Sequence, residues 1–199
     1  MTYKIVNPNV KITAIAHYVP TRVVDNEELA KRYPKAGNAE DILGKTGMHE
    51  RRYCADNEST MDMATAATKA LIKKANIDTR NIDAIIMTTL TPETFFPSNA
   101  AQLANNVGIY EAKKGYDVSN SCPGFLTALN DIASNIALGK YKNAILCVSD
   151  NMSKTLDSWN YKTGILFGDA ACAVLIEPTS EKGINGQSSM LLTEHINDI

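Results

Sequence analysis

Short apolar runs rich in β-branched residues alternate along this chain with stretches whose apolar residues recur every three or four positions. That alternation predicts an α/β unit built around a largely buried sheet. The run "VKITAIAHYVP" reads as an opening strand stopped by Pro20. In "TRVVDNEELAKRY", Asp25 or Asn26 caps a short helix that ends before Pro34. Ser59 and Asp62 have capping-box spacing, and Met63, Ala64, Ala67, Leu71 and Ile72 follow at helical intervals. "IDAIIMTTL" is apolar almost throughout, as a strand covered on both faces requires. Ser98, after Pro97, caps the next helix and Gly108 closes it. "KGYDVSN" is another strand, and the helix after Cys122 carries Phe125, Leu129, Ile132 and Ile136 along one stripe. Ala128, Ala133 and Ala137 add small positions for close packing, which predicts a central, buried helix closed by Gly139. "NAILCVSD" and "GILFGDAACAVLIEP" read as a strand and as a turn leading into one more, and "GQSSMLLTEHINDI" begins a further strand-like run.

At 199 residues the chain can bury one substantial core, and 20 Lys+Arg against 22 Asp+Glu leave no broad basic face for nucleic acid or anionic lipid. Small molecules or proteins are the expected partners. The first twenty residues lack a secretory signal and no later apolar run is long enough to span a bilayer, so a soluble, cytoplasmic protein is expected. Cys54, Cys122, Cys147 and Cys172 are widely spaced, which suits reduced thiols better than a disulfide framework. No histidine has a second Cys or His at ligand spacing, so no metal site is predicted.

Cys122 stands between a strand and a helix. A thiolate is the effective nucleophile toward acyl carbon, and the first turn of a helix favours an anion through its free N–H groups and its dipole. Pro123 disfavours α geometry at Cys122 and suits the first helical position, while the Cys122 N–H stays available to an acyl oxyanion. Gly124 permits close approach of substrate or a neighbouring strand. The competing reading is a small apolar residue filling a core.

Several segments, in order along the chain, widen this picture: "GKTGMHERR", "LTPETFFPSNAAQLANNVG", "YDVSNSCPGFLTAL", "LGKYKNAILCVSD" and "GILFGDAACAVLIEP". Together they resemble the ketoacyl synthase III group of the thiolase superfamily, the condensing enzymes that start fatty-acid and polyketide chains. The resemblance spans almost the whole chain, and its most specific parts are the Cys122 and "FGD" segments. It implies the N-terminal half of a thiolase-like fold, a mixed sheet covered by helices with a buried central helix after Cys122. Residues 1–180 would form that domain, and 181–199 the start of the connection to a C-terminal half.

The resemblance also implies a chemistry. Cys122 would accept an acyl group from a coenzyme A thioester. A malonyl group on acyl carrier protein would then lose carbon dioxide, and the carbanion would attack the acyl-cysteine. No permanently bound cofactor is implied, and homodimers or heterodimers would form through this half. The histidine and asparagine of decarboxylation belong to the C-terminal half in similar enzymes, and none of His17, His49 or His195 corresponds to that histidine. A fragment, a split enzyme with the other half on a separate chain, or a non-catalytic subunit that stabilises a catalytic partner are the readings left. A thiol hydrolase of unrelated type would need a histidine beside Cys122.

Departures from the family pattern concern the substrate. Where similar enzymes place Trp and Arg around the nucleotide, this chain has Asp41, Lys45 and Tyr161, with Lys45 as the candidate contact to a thioester carrier's phosphate. "GDAACA" replaces the glycine-rich "GDGAGA", so Ala170 and Cys172 add side chains that either narrow the acyl pocket or reflect ordinary repacking. Phe96 matches a position that closes the acyl pocket across the dimer interface, and Arg51 and Arg52 are candidates to attract an acidic carrier protein.

Overall fold

Strands and helices alternate through the computed structural model, which describes residues 9–156 and 160–184. In chain order they are β1 (Val10–Tyr18), β2 (Arg22–Asp25), α1 (Asn26–Arg32), α2 (Ala39–Thr46), β3 (Glu50–Tyr53), α3 (Thr60–Ala75), β4 (Ala84–Thr88), α4 (Asn99–Val107), β5 (Lys114–Val118), α5 (Gly124–Ala137), β6 (Ala144–Asn151), α6 (Tyr161–Gly164) and β7 (Asp169–Pro178). Five strands form a mixed sheet in the order β1-β7-β6-β4-β5. β4 runs parallel to both β5 and β6, whereas β7 is antiparallel to β6 and to β1. All five residues of β4 are buried, as its apolar run requires, because helices cover both faces. Met63, Ala67 and Leu71 of α3 and Leu103 of α4 pack on one face with Ile85, Met87 and Cys147. Leu129, Ile132 and Ile136 of α5 pack on the other with Ile86, Leu146 and Val174.

The helix starts follow local chemistry. Asp25 and Ser98 accept backbone N–H groups at the starts of α1 and α4. Ser59 and Asp62 form a reciprocal capping box on α3. Ser59→Ala should therefore cost about 1 kcal/mol in chemical denaturation; an unchanged midpoint would show that the Asp62 side alone holds this end.

Three expectations need correction. The helix after Cys122 is buried along one face only: Leu126 and Leu138 on its outer side are 61% and 59% exposed. An apolar stripe with small residues reports that a helix packs, and the described residues supply a layer on just one side of it. Second, the small β2–β3 ribbon and α2, which the apolar pattern did not predict, enclose a separate cluster of Val24, Leu29, Tyr33, Ile42, Tyr53 and Ile165. Third, Arg51 does not face an outside partner: it is 4% exposed and bonded within this cluster, whereas Arg52 is partly exposed beside Glu50. β7 ends at Pro178, and Ile184 bridges Val10, while residues 185–199, including the strand-like run and His195, lie outside the described residues. No helix among the described residues is long and apolar enough to cross a membrane.

Candidate active site

β4, β5 and β6 point the same way, so their carboxyl ends gather at one sheet edge, where α/β sheets commonly place their ligands. An open cleft of about 460 Å³ lies there. Thr88, Thr89 and Leu90 line it from the end of β4, Ser121, Cys122 and Phe125 from the β5–α5 turn, Val148 and Asp150 from β6, and Phe167 and Ala170 from the start of β7. Sequences far apart thus meet around one thiol. The walls are mainly apolar, and Asp150 is the sole charged side chain among the lining residues.

Cys122 is exposed in the turn, while Cys54 and Cys147 are buried and Cys172 is half-buried. Burial pushes the Cys54 and Cys147 thiols up to about 12 and raises Cys172 as well, which keeps all three protonated and unreactive at neutral pH. Cys54 belongs to the main core. Geometry therefore singles out one accessible thiol of four.

The turn that presents it is locally constrained. Ser121 has φ +44°, a left-handed conformation that costs a residue with a side chain about 1 kcal/mol or more. Pro123 occupies the N-cap, so α5 begins at Gly124, one residue later than the proline suggested. Gly124 N–H donates to Ser121 O at 2.9 Å, and Thr127 N–H to Pro123 O at 2.9 Å. Among the described residues no acceptor pairs with the N–H of Cys122, Phe125 or Leu126, so the first turn keeps donors for an anion. Gly124 is required by packing: a Cβ there would lie 2.3 Å from Thr88 Oγ1. The close approach is to β4, and it brings the Thr88 wall against the start of α5.

Asp169, at the start of β7, is 3% exposed and accepts Cys54 N–H and Ser153 N–H at 2.7 Å each and Ser153 Oγ–H at 2.5 Å. It ties the segments after β3 and β6 to the Phe167–Ala170 wall, which gives the "FGD" motif a structural role.

The other sequence candidates lie elsewhere. Lys45, on α2, donates to Ala36 O at 2.5 Å, and Asp41 closes the α2 capping box, so neither lines the cleft. Tyr161 packs against the β2–β3 cluster. Phe96 is 89% exposed on the segment between β4 and α4, outside the single-chain cleft. Ala170 lines the cleft, whereas Cys172 packs under α5. His17 and His49 are exposed, and neither lines the cleft. Sequence reasoning missed Thr88, Thr89 and Asp150. The available signal was that "AIIMTTL" and "AILCVSD" are apolar runs ending in polar residues at what became one sheet edge.

Residues 116–194 match the family described as 3-oxoacyl-[acyl-carrier-protein (ACP)] synthase III. A β-ketoacyl-[acyl-carrier-protein] synthase III of Streptococcus pneumoniae is 36% identical over 178 residues, 89% of this chain and 54% of that protein. The corresponding protein of Streptococcus gordonii is 38% identical over 174 residues, 86% of this chain and 52% of that one. Among solved structures, a 3-oxoacyl-[acyl-carrier-protein] synthase III from Aquifex aeolicus superposes with a TM-score of 0.81 at 34% identity, covering 86% of this chain and 55% of that one. A priming β-ketosynthase of a polyketide biosynthetic pathway gives 0.82 at 25% identity, over 89% of this chain and 52% of the other. The chain spans about half the length of the curated relatives it matches.

Proposed function

Because the chain is a relative of the ketoacyl synthase III group and shares its thiolase-type fold, we propose that it carries the acyl-accepting half of a decarboxylative condensing enzyme. The observation that carries this reading is Cys122: an exposed thiol at the start of an apolar helix, inside the cleft formed by the parallel strand ends.

In the first half-reaction the Cys122 sulfur attacks the carbonyl carbon of an acyl thioester. The tetrahedral oxyanion is met by unpaired N–H groups of the α5 first turn, and the coenzyme A or carrier thiol leaves with the proton. The apolar walls from Leu90, Phe125 and Phe167 suit an acyl chain. The malonyl half-reaction needs a histidine and an asparagine, which we assign to polypeptide corresponding to the rest of the relatives' length. Phe96 is assigned to a contact between two copies that completes the acyl pocket, since an almost fully exposed phenylalanine beside the cleft-forming segment gains most by being covered. Lys45 spends one of its three ammonium donors on Ala36 O and lies outside the cleft, so the donor is left as a coenzyme A or carrier-protein thioester.

The test is intact-mass spectrometry after incubation with acetyl-CoA and longer acyl thioesters, with peptide mapping of any adduct. A single acyl group on Cys122 is the expected result. A chain that stays unmodified while a catalytic partner depends on its presence would instead assign it the role of a non-catalytic stabilising subunit.

A further inference from the structure

Asp150 makes no ion pair among the described residues, although its carboxylate stands on the cleft wall. Its Oδ1 instead accepts the Leu90 N–H at 2.6 Å and the Thr89 hydroxyl at 3.1 Å. Thr89 Oγ1 accepts the Thr91 N–H at 3.0 Å, and Thr91 Oγ1 accepts the Asn151 N–H at 2.9 Å. The chain leaving β4 is thus turned around one carboxylate oxygen and tied back to the strand that carries it. Hydrogen bonds to an ionised acceptor are about twice as strong as neutral ones, so Asp150 is the strongest anchor of this turn.

That anchor has a consequence for the thiol. Thr88, Thr89 and Leu90 share the cleft lining with Cys122, and Thr88 Oγ1 sits so close to Gly124 that no Cβ fits between them. At the far end of the same segment, Asp117 accepts the Asn99 and Ala100 N–H groups at 2.7 Å each. Both ends of the segment bearing Phe96 are therefore fixed by carboxylates, and the Asp150 end is the one inside the cleft.

We propose that Asp150 is a positioning residue for acyl transfer: through Leu90 and Thr89 it holds the cleft wall against which the acyl group is presented to Cys122. The inference rests on the reading of Cys122 as the acyl acceptor. It explains an acidic side chain in a mainly apolar cleft by acceptor geometry, with no contact to the reacting atoms.

The test compares wild type, Asp150→Asn and Asp150→Ala by amide exchange at Leu90 and by acylation of Cys122 with S-acetyl-N-acetylcysteamine. In that reaction the Cys122 sulfur bonds to the acetyl carbon, and N-acetylcysteamine departs as the thiol with the cysteine's proton. Asp150→Ala should speed Leu90 exchange and lower the saturating acylation rate, each at least about tenfold, with little change in half-saturating concentration. Asparagine keeps an acceptor oxygen and should restore both to within about threefold of wild type. Wild-type exchange and rate in Asp150→Ala, or an asparagine variant as impaired as alanine, would overturn the positioning role. Absence of an adduct on wild type overturns the acyl-acceptor reading, and Leu90 exchange then still decides whether Asp150 holds this wall.

Discussion

Replacing Cys122 with alanine is expected to abolish acyl transfer to the chain, a loss of at least about 10³-fold, because no other group can form the thioester bond. Cys54 and Cys147 are sealed in the core on the α3 face of the sheet and protonated at neutral pH, and Cys172 packs beneath α5. Cys54→Ala, Cys147→Ala and Cys172→Ala should therefore keep a single adduct, at some cost in stability for the two buried positions. Quantitative intact-mass spectrometry across the four variants, with melting curves to confirm folding, checks this. An adduct that survives in Cys122→Ala would place the acceptor elsewhere and remove the basis of the proposed function.

Arg51→Ala should be the most destabilising single change in the β2–β3 region, at roughly 2–4 kcal/mol. The guanidinium is 4% exposed and donates to Asn26 Oδ1 at 2.7 Å, Thr46 Oγ1 at 3.1 Å, Met48 O at 3.3 Å and Ile165 O at 2.6 Å. Burial lowers its pKa below the ordinary guanidinium value, yet four neutral acceptors still hold it. Alanine removes every one of those donors and leaves the Asn26, Thr46, Met48 and Ile165 oxygens without this partner. Lysine should recover only part of the loss, since one ammonium cannot reproduce the planar fork. Thermal denaturation should show a fall on the order of 10 °C for a domain of this size. A loss below about 1 kcal/mol would mean that the cluster repacks around the missing side chain. Because Ile165 leads into the Phe167–Ala170 wall, Arg51→Ala should also loosen one side of the cleft.

Much of this molecule was legible in its sequence because the signals are local. Asp25, Ser59 and Ser98 cap helices by bonds to residues three positions ahead, and β4 is read from its own apolar run. Cys122 was legible as a candidate nucleophile from the strand–proline–glycine–helix pattern around it. Where sequence reading fell short, the deciding partner is distant. Arg51 in an adjacent arginine pair has the pattern of a surface residue, and acceptors as distant as Asn26, 25 residues away, and Ile165, 114 residues away, hold it inside the fold. The outer face of α5 carries Thr127, Asn130 and Asp131 beside Leu126, and only tertiary structure shows that its apolar stripe is covered by a layer on one side alone.

The cleft is the clearest case. Sequence determined which strand ends carry polar residues and which turn carries the thiol. Only parallel pairing of β4 with β6, and the return of β7 beside them, brought Thr88, Asp150 and Ala170 to Cys122. Helix caps and apolar periods are fixed by neighbours along the chain, whereas a site is fixed by which strands pair and in what register.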